Sequence, residues 1–292
     1  MAKDKTAEEL RRQQRTTSFI IEKLGHVALM TLDAPEKLNA LSMYWFNYGE
    51  NPYFRNSRES EWAAKFADVK YDPEINVIII TGSGRGFCTG ADVKQWGAIS
   101  AEILKTGKAR VSPTVINEGS TLSHEWIRLL KKPTIAMVNG PAIGIGADLA
   151  LMCDLIVMSS RAFFQWSDIQ RGMVPANGAC WLLPRLVGKA KAKELLLTGE
   201  RVYADEALRI GLVNKVVPFE QLRDVTLELA SKIANGHRNA VQLTRFAVDI
   251  SEVQSLRDSL DLTSVCNSMT SETVIKIMAM DREYNKTKLD SL

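Results

Sequence analysis

The sequence predicts an α/β fold with a helical C-terminal third. Three observations carry this. The runs VIIIT (77–81), TIAMV (134–138) and LIVM (155–158) are continuously apolar and rich in β-branched residues, as strands buried on both faces of a parallel sheet are. Segments of helical periodicity alternate with them, and several end at a glycine, as helix C-termini do. From Phe219 onward every segment reads as helix.

In chain order, residues 1–16 form an N-terminal extension with the pattern of a short solvated helix. SFIIEKL and VALMTLD are two strands joined at Gly25-His26. DAPEKLNALS is a proline turn leading into a helix capped near Asn39 or Ser42. Residues 43–70 are aromatic-rich and irregular, ending in a helix. VIIIT then enters the glycine-rich loop GSGRGFCTGAD. Residues 93–130 read as helices broken near Gly107 and Ser112-Pro113, with Lys131-Lys132 a solvated helix end. TIAMV, a loop and a helix around GADLALMC follow, then the strands LIVM and AFFQW. ACWLLPRLVG, KAKELLLTG and ADEALRIG are short helices, and LVNKVVP is a last strand. The core runs over 17–218 and the helical region over 219–292.

The bulk chemistry excludes several function classes. A net charge of +3 is too small for a nucleic-acid or membrane-surface partner. Cys88, Cys153, Cys180 and Cys266 are widely spaced, as reduced thiols of a cytoplasmic protein are, and form no zinc motif. The N-terminus has no hydrophobic stretch of the secretory kind, and Asp4, Glu8 and Glu9 oppose a transit peptide. Three histidines, His26, His124 and His237, with no paired spacing, predict no metal site. Ser42, Ser123 and Ser167 lack a histidine at a suggestive spacing.

Two acids stand out. Asp148 interrupts the apolar run AIGIGADLALMC, and Asp168 follows the aromatic strand AFFQW. A carboxylate in low-dielectric surroundings is costly unless it is satisfied or useful. Alone, Asp148 also reads as a dipole partner in a first helical turn, and Asp168 as the N-cap of a short turn. Asp154 reads as bounding a strand, and Arg171 as a structural ion-pair partner of Asp168. The glycine-rich loop fails the dinucleotide fingerprint, because Phe87 stands where the third glycine belongs, and it has no phosphate-loop lysine. It reads either as a plain turn or as small residues that bring a backbone N–H, that of Ala91, close to a ligand carbonyl.

DAPEKLNALS, VIIITGSGRGFCTGADV, KKPTIAMVNGPAIGIGADLALMCDLIV, FFQWSDIQRGMVP and LLLTGERVYADEALRIGLVNKVVP together resemble the enoyl-CoA hydratase/isomerase (crotonase) family. The likeness spans Phe19 to Pro218 in order and spacing and continues more weakly to the C-terminus. It implies a crotonase-like ββα spiral core whose C-terminal helices assemble a homotrimer or a hexamer. The substrate it implies is an acyl-CoA thioester, with coenzyme A part of the substrate and no other cofactor. Carried over by position, the backbone N–H groups of Ala91 and Ile145 form the oxyanion hole. Ile145 stands where the family usually has glycine, which narrows the expected pocket. Asp148 and Asp168 fall where hydratases carry two glutamates that handle water and the α-proton. Lys37, Leu38, Asp92 and Val93 fall where the family holds the coenzyme A adenine and pantetheine.

The departures set the alternatives. Both acids are one methylene shorter than glutamate. Aspartate at the first position also occurs in dienoyl-CoA isomerases, and the AFFQ and SLRDSLDL stretches resemble that branch. The third isomerase acid, however, falls on Ala176, with Asn177 beside it. The same position holds the nucleophile of aryl-CoA dehalogenases, which argues against that chemistry. The resemblance therefore implies a hydratase first, a double-bond isomerase second, and a C–C hydrolase or lyase more distantly. Outside enzymes, the alternative is a catalytically silent acyl-CoA-binding homologue.

Overall fold

A computed structural model describes residues 18–41, 58–94, 105 and 126–270. The N-terminal helix, the aromatic segment before residue 58, most of the helices expected over 93–130, Ser42, Ser123 and His124 lie outside the described residues. The chain divides into two compact units, Met1–Ser231 and Lys232–Leu292.

The first unit is built on a six-stranded sheet. Strands β1 (Phe19–Leu24) and β2 (Val27–Leu32) form the predicted hairpin, in register from Phe19 opposite Leu32 to Leu24 opposite Val27. The helix α1 (Arg58–Tyr71) precedes β3 (Val77–Gly82), which lies parallel to β2. Then come β4 (Thr134–Val138), β6 (Leu155–Ser159) and β9 (Lys215–Val217), all parallel, in the order β1-β2-β3-β4-β6-β9. Every residue of β3 and β4 is buried, which is why their sequences are unbroken apolar runs.

A second, three-stranded sheet orders β5 (Ala142–Ile143), β7 (Phe163–Gln165) and β8 (Arg201–Tyr203). Of these, β5 and β8 are too short to show in the pattern, at two and three residues. Around them stand α2 (Ile145–Leu151), α3 (Ala179–Val187), α4 (Lys189–Thr198) and α5 (Ala204–Arg209), with α6 (Leu222–Ala234) after β9. As expected, α3 and α4 end at Gly188 and Gly199, which adopt positive φ.

Two local expectations are corrected. Asn39 caps no helix: it follows the short 3-10 turn Pro35–Lys37, has φ 57, and is fully buried. Lys132 is not solvated. It is 2% exposed, and its ammonium donates to Val69 O at 2.6 Å and Asp72 O at 2.7 Å, closing the C-terminal end of α1 where helix carbonyls lack partners.

The second unit contains the helix α7 (Arg238–Ser251) and a helix over residues 256–270, as predicted. His237 caps α7 by accepting from the Ala240 N–H. Among the described residues no helix is long and apolar enough to cross a membrane.

Candidate active site

The chain leaves β3 and β4 at their carboxyl ends, where open α/β sheets build ligand sites. The glycine-rich loop after β3 is held from outside by two buried asparagines. Asn39 donates from Nδ2 to the carbonyls of Ser83 (3.0 Å), Gly86 (2.9 Å) and Phe87 (3.2 Å), and its Oδ1 accepts from the Ala34 N–H. Asn139 donates to Gly84 O (3.0 Å) and Gly86 O (3.2 Å), while its Oδ1 accepts from the Gly82 N–H (3.3 Å). An amide offers donor and acceptor together, so it satisfies loop carbonyls that no strand ladder reaches.

The loop ends beside Leu41. The Leu41 N–H donates to Gly90 O (2.7 Å), and the Asp92 N–H donates to Leu41 O (2.8 Å). This bracket is a parallel bridge between Leu41 and Ala91, and it turns the Ala91 N–H away from Leu41. On the far side the loop presses against the start of α2. The Ile143 N–H donates to Cys88 O at 2.9 Å. A Cβ on Gly90 would lie 2.5 Å from Ile143 O and 3.5 Å from Ile145 N, and one on Gly146 would lie 2.0 Å from Cys88 O. Only glycine permits this approach. The fold thus brings the Ala91 and Ile145 backbones together. Ile145 opens α2, where first-turn N–H groups have no intrahelical carbonyl and the dipole favours negative charge. The Ile145 side chain is half-buried and packs against the hydrophobic core.

Asp148 lies one turn further along α2 and is 2% exposed. Its Oδ1 accepts from Trp166 Nε1 at 2.9 Å, and the Asn177 backbone N–H also favours its charged form. Burial dominates all the same and pushes its pKa up to about 8. The Trp166 hydrogen bond works against that rise, and the charge of Asp168 adds to it.

Asp168 opens the 3-10 turn Asp168–Arg171, whose N-cap is Ser167, and its own side chain caps nothing. Its two carboxylate oxygens lie 3.7 and 3.9 Å from where a Gly144 Cβ would stand, at the head of α2. Burial raises its pKa, opposed by its own backbone N–H and then by the charge of Arg171. Its Oδ2 is buried without a hydrogen-bond partner among the described residues. Arg171 donates to Ser167 Oγ at 2.8 Å and acts on Asp168 through its field.

Three further residues neighbour the two acids. Trp166 is fully buried and stacks on Phe164, with 7° between the rings. Asn177 is buried, and its side-chain Oδ1 has no partner among the described residues. Cys180 on α3 is exposed as a residue, but its thiol donates to Pro175 O at 3.3 Å and is partly desolvated; that desolvation, and then the charges of Asp148 and Asp168, raise its pKa. In the sequence Trp166 lies two residues before Asp168 and Asn177 adjoins the position of the third isomerase acid, while nothing there marks Cys180.

The remaining predicted residues gather on the other side of the loop. Lys37 ends the 3-10 turn, Leu38 follows in a left-handed conformation (φ 52), and Lys37 Nζ lies 3.5 Å from Asp92 Oδ2. The Thr89 N–H donates to Leu38 O at 3.1 Å, so residues 37–41 and 89–92 run side by side. Val93 is 55% exposed. Asp154 bounds a strand as expected, accepting from the Thr134 N–H and hydroxyl at the head of β4.

Known proteins resemble this chain over most of its length. The family model described as Enoyl-CoA hydratase/isomerase matches residues 22–286. A protein named "Probable enoyl-CoA hydratase, mitochondrial" from Dictyostelium discoideum is 35% identical over 82% of this chain and 78% of its own length. A "Short-chain-enoyl-CoA hydratase" from Clostridium acetobutylicum is 35% identical over 80% of this chain and 81% of its own. The crystal structure of an enoyl-CoA hydratase from Bacillus anthracis superposes with a TM-score of 0.78 at 26% identity, covering 92% of this chain and 96% of that one. The α/β fold is therefore crotonase-like, and the chain belongs to the enoyl-CoA hydratase/isomerase family of enzymes.

Proposed function

We propose that this enzyme adds water to an enoyl-CoA thioester, and removes it in reverse. One observation carries the reading: two carboxylates with unlike surroundings stand at the head of α2, beside two backbone segments able to hold a thioester oxygen. The N–H groups of Ala91 and Ile145 bind that oxygen, and one such donor is typically worth about 3 kcal/mol of barrier. In hydration, Asp168 takes a proton from water as the water oxygen bonds to the β-carbon. The electron pair of the Cα–Cβ double bond moves toward the thioester, giving an enolate. Asp148, held neutral by burial, delivers its proton to the α-carbon. Proton exchange with solvent then resets the pair.

Lys37, Leu38, Asp92 and Val93 would hold the adenine and pantetheine of the substrate's own coenzyme A, and the reaction needs no further cofactor. The reading sets the enzyme in the cytoplasm with no nucleic-acid or membrane partner, in keeping with four cysteines that are all free thiols. It also makes the enzyme a homotrimer or hexamer. Supporting this, Phe246, Val248, Leu256, Leu260 and Met269 are exposed apolar side chains on the C-terminal helices.

The test is kinetic. Asp148→Asn and Asp168→Asn should each lower the hydration kcat by roughly 10²–10⁴-fold, the usual weight of a general acid or base, with thioester affinity nearly intact. Full hydration activity in either variant would overturn its role. A diene-conjugation absorbance assay on the same proteins separates hydration from double-bond isomerisation.

A further inference from the structure

We propose that the side chains of Lys37 and Asp92 are positioning residues: their ion pair fixes the aim of the Ala91 N–H, and Lys37 does not serve as a grip on a coenzyme A phosphate. The main chain at 37–38 and 92–93 is left to hold the adenine and pantetheine. The proposal rests on the oxyanion-donor role given to Ala91 above, and on neither acid's part in the proton transfers.

The aim of that N–H is a property of one peptide plane. In a trans peptide the C=O of one residue and the N–H of the next point in opposite directions. Gly90 O accepts from the Leu41 N–H at 2.7 Å, so the Ala91 N–H in the same plane points away from Leu41. Beyond Ala91 the chain returns to Leu41, whose carbonyl accepts from the Asp92 N–H at 2.8 Å. Any shift of residues 37–41 against 89–92 therefore swings the donor.

Residues 37–41 do not hold their shape by local preference. Leu38 and Asn39 are successive non-glycine residues at φ 52 and φ 57. Leucine is disfavoured there, and such backbone persists only where its surroundings over-determine it. The contacts that do so cross to the glycine-rich loop. Leu38 O accepts from the Thr89 N–H at 3.1 Å and the Thr89 hydroxyl at 3.3 Å. The Leu38 side chain covers Gly86, where an added Cβ would stand 3.2 Å from Leu38 Cβ.

The ion pair adds a crosslink at the residue next to the donor. Lys37 Nζ lies 3.5 Å from Asp92 Oδ2, with the two side chains only 14% and 12% exposed. Asp92 Oδ1 accepts from the Lys94 N–H at 3.1 Å, so both carboxylate oxygens are engaged. A pair this sheltered is screened less by salt than one in open solvent. The Lys37 ammonium is turned inward onto a carboxylate, where it ties two segments together.

The test compares two substrates: crotonyl-CoA, and the crotonyl thioester of pantetheine, which lacks the adenosine and the phosphates. Lys37→Met keeps the length of the side chain and removes its charge. It should lower kcat roughly 10- to 100-fold on both, part of what a whole oxyanion donor is worth, with KM within about threefold. Asp92→Asn should fall similarly. The double variant should fall no further than the worse single one, because either change removes the pair. Lys37→Arg, which keeps the charge, should recover most of the loss. An unchanged kcat in Lys37→Met overturns the proposal. So does a large rise in KM for crotonyl-CoA alone, which would make Lys37 a phosphate ligand.

A second readout needs no turnover. Butyryl-CoA, labelled with ¹³C at the thioester carbonyl, has no double bond to hydrate. Its C=O infrared stretch should drop on binding the unaltered protein and return partway to the solution value in Lys37→Met. A stretch that is the same in both proteins overturns the positioning role, and no drop in the unaltered protein overturns the donor role of Ala91 with it. If the stretch behaves as expected but no enoyl thioester is hydrated, the functional reading fails and the positioning role stands. If hydration is normal in Lys37→Met, only the positioning role fails.

Discussion

The two carboxylates stand in regions built on opposite plans. The Asp148 region is bolted in place. Its helix begins where Gly90 and Gly146 touch the backbone of the neighbouring segment, and its carboxyl is satisfied and nearly inaccessible. The Asp168 region is a single 3-10 turn at the end of a three-residue strand, half-buried, with one carboxylate oxygen left without a partner among the described residues. The contrast teaches how one residue type fills two roles. Rigid burial makes a carboxylic acid that keeps its proton, and partial exposure beside a cation makes a carboxylate that can accept one.

The largest test breaks the bolted region. Gly146→Ala would place a methyl 2.0 Å from Cys88 O and 2.8 Å from Cys88 Cβ, a backbone clash that rotamer changes cannot relieve. Separating the two backbone donors should lower kcat by roughly 10²–10³-fold, the weight of one oxyanion donor. It should also cost about 1–3 kcal/mol of stability from overpacking. Steady-state kinetics and urea unfolding measure both. Normal turnover would mean that the segments need not touch.

A smaller effect sharpens the comparison through pH. With the pKa of Asp148 raised to about 8, hydration should weaken above that value, approaching a tenfold loss per pH unit as the acid empties. A kcat profile from pH 6 to 10 checks this. A profile flat to pH 10 would remove Asp148 as the proton donor.

The smallest effect is thermodynamic. Folded Asp148 holds its proton up to about pH 8, whereas an unfolded aspartate releases it near ~3.9. The folded state binds more protons in that window, so this group makes stability fall as pH rises. Asp148→Asn should flatten the decline of Tm between pH 5 and 8 by a few degrees or more, and Asp168→Asn should flatten it less. Equal slopes in both variants would deny that the two surroundings differ.

The sequence carried most of the fold because buried parallel strands leave no room for polar residues, and VIIIT and TIAMV show that directly. It also singled out Asp148, Asp168, Ala91 and Ile145, which the fold gathers around the start of α2, since motif spacing survives without coordinates. The dimensions of the site were not legible. The strands Ala142–Ile143 and Arg201–Tyr203 are defined by pairing rather than composition. The Trp166 hydrogen bond spans 18 residues and connects a strand end to a helix, a relation that no local pattern encodes. Lys132 and Asn39 were misread for a related reason. Both look like surface or capping residues locally, and both are consumed by distant backbone carbonyls.

That last habit has a practical meaning for anyone who would redesign the enzyme. Asn39 and Asn139 grip the glycine-rich loop by its main chain. Carbonyl oxygens are common to every amino acid, so the loop's shape is written largely outside the loop. Arg85 at its exposed tip is an open position. A library randomised there would alter what the enzyme presents to its surroundings while leaving the main-chain shape of the loop as it is.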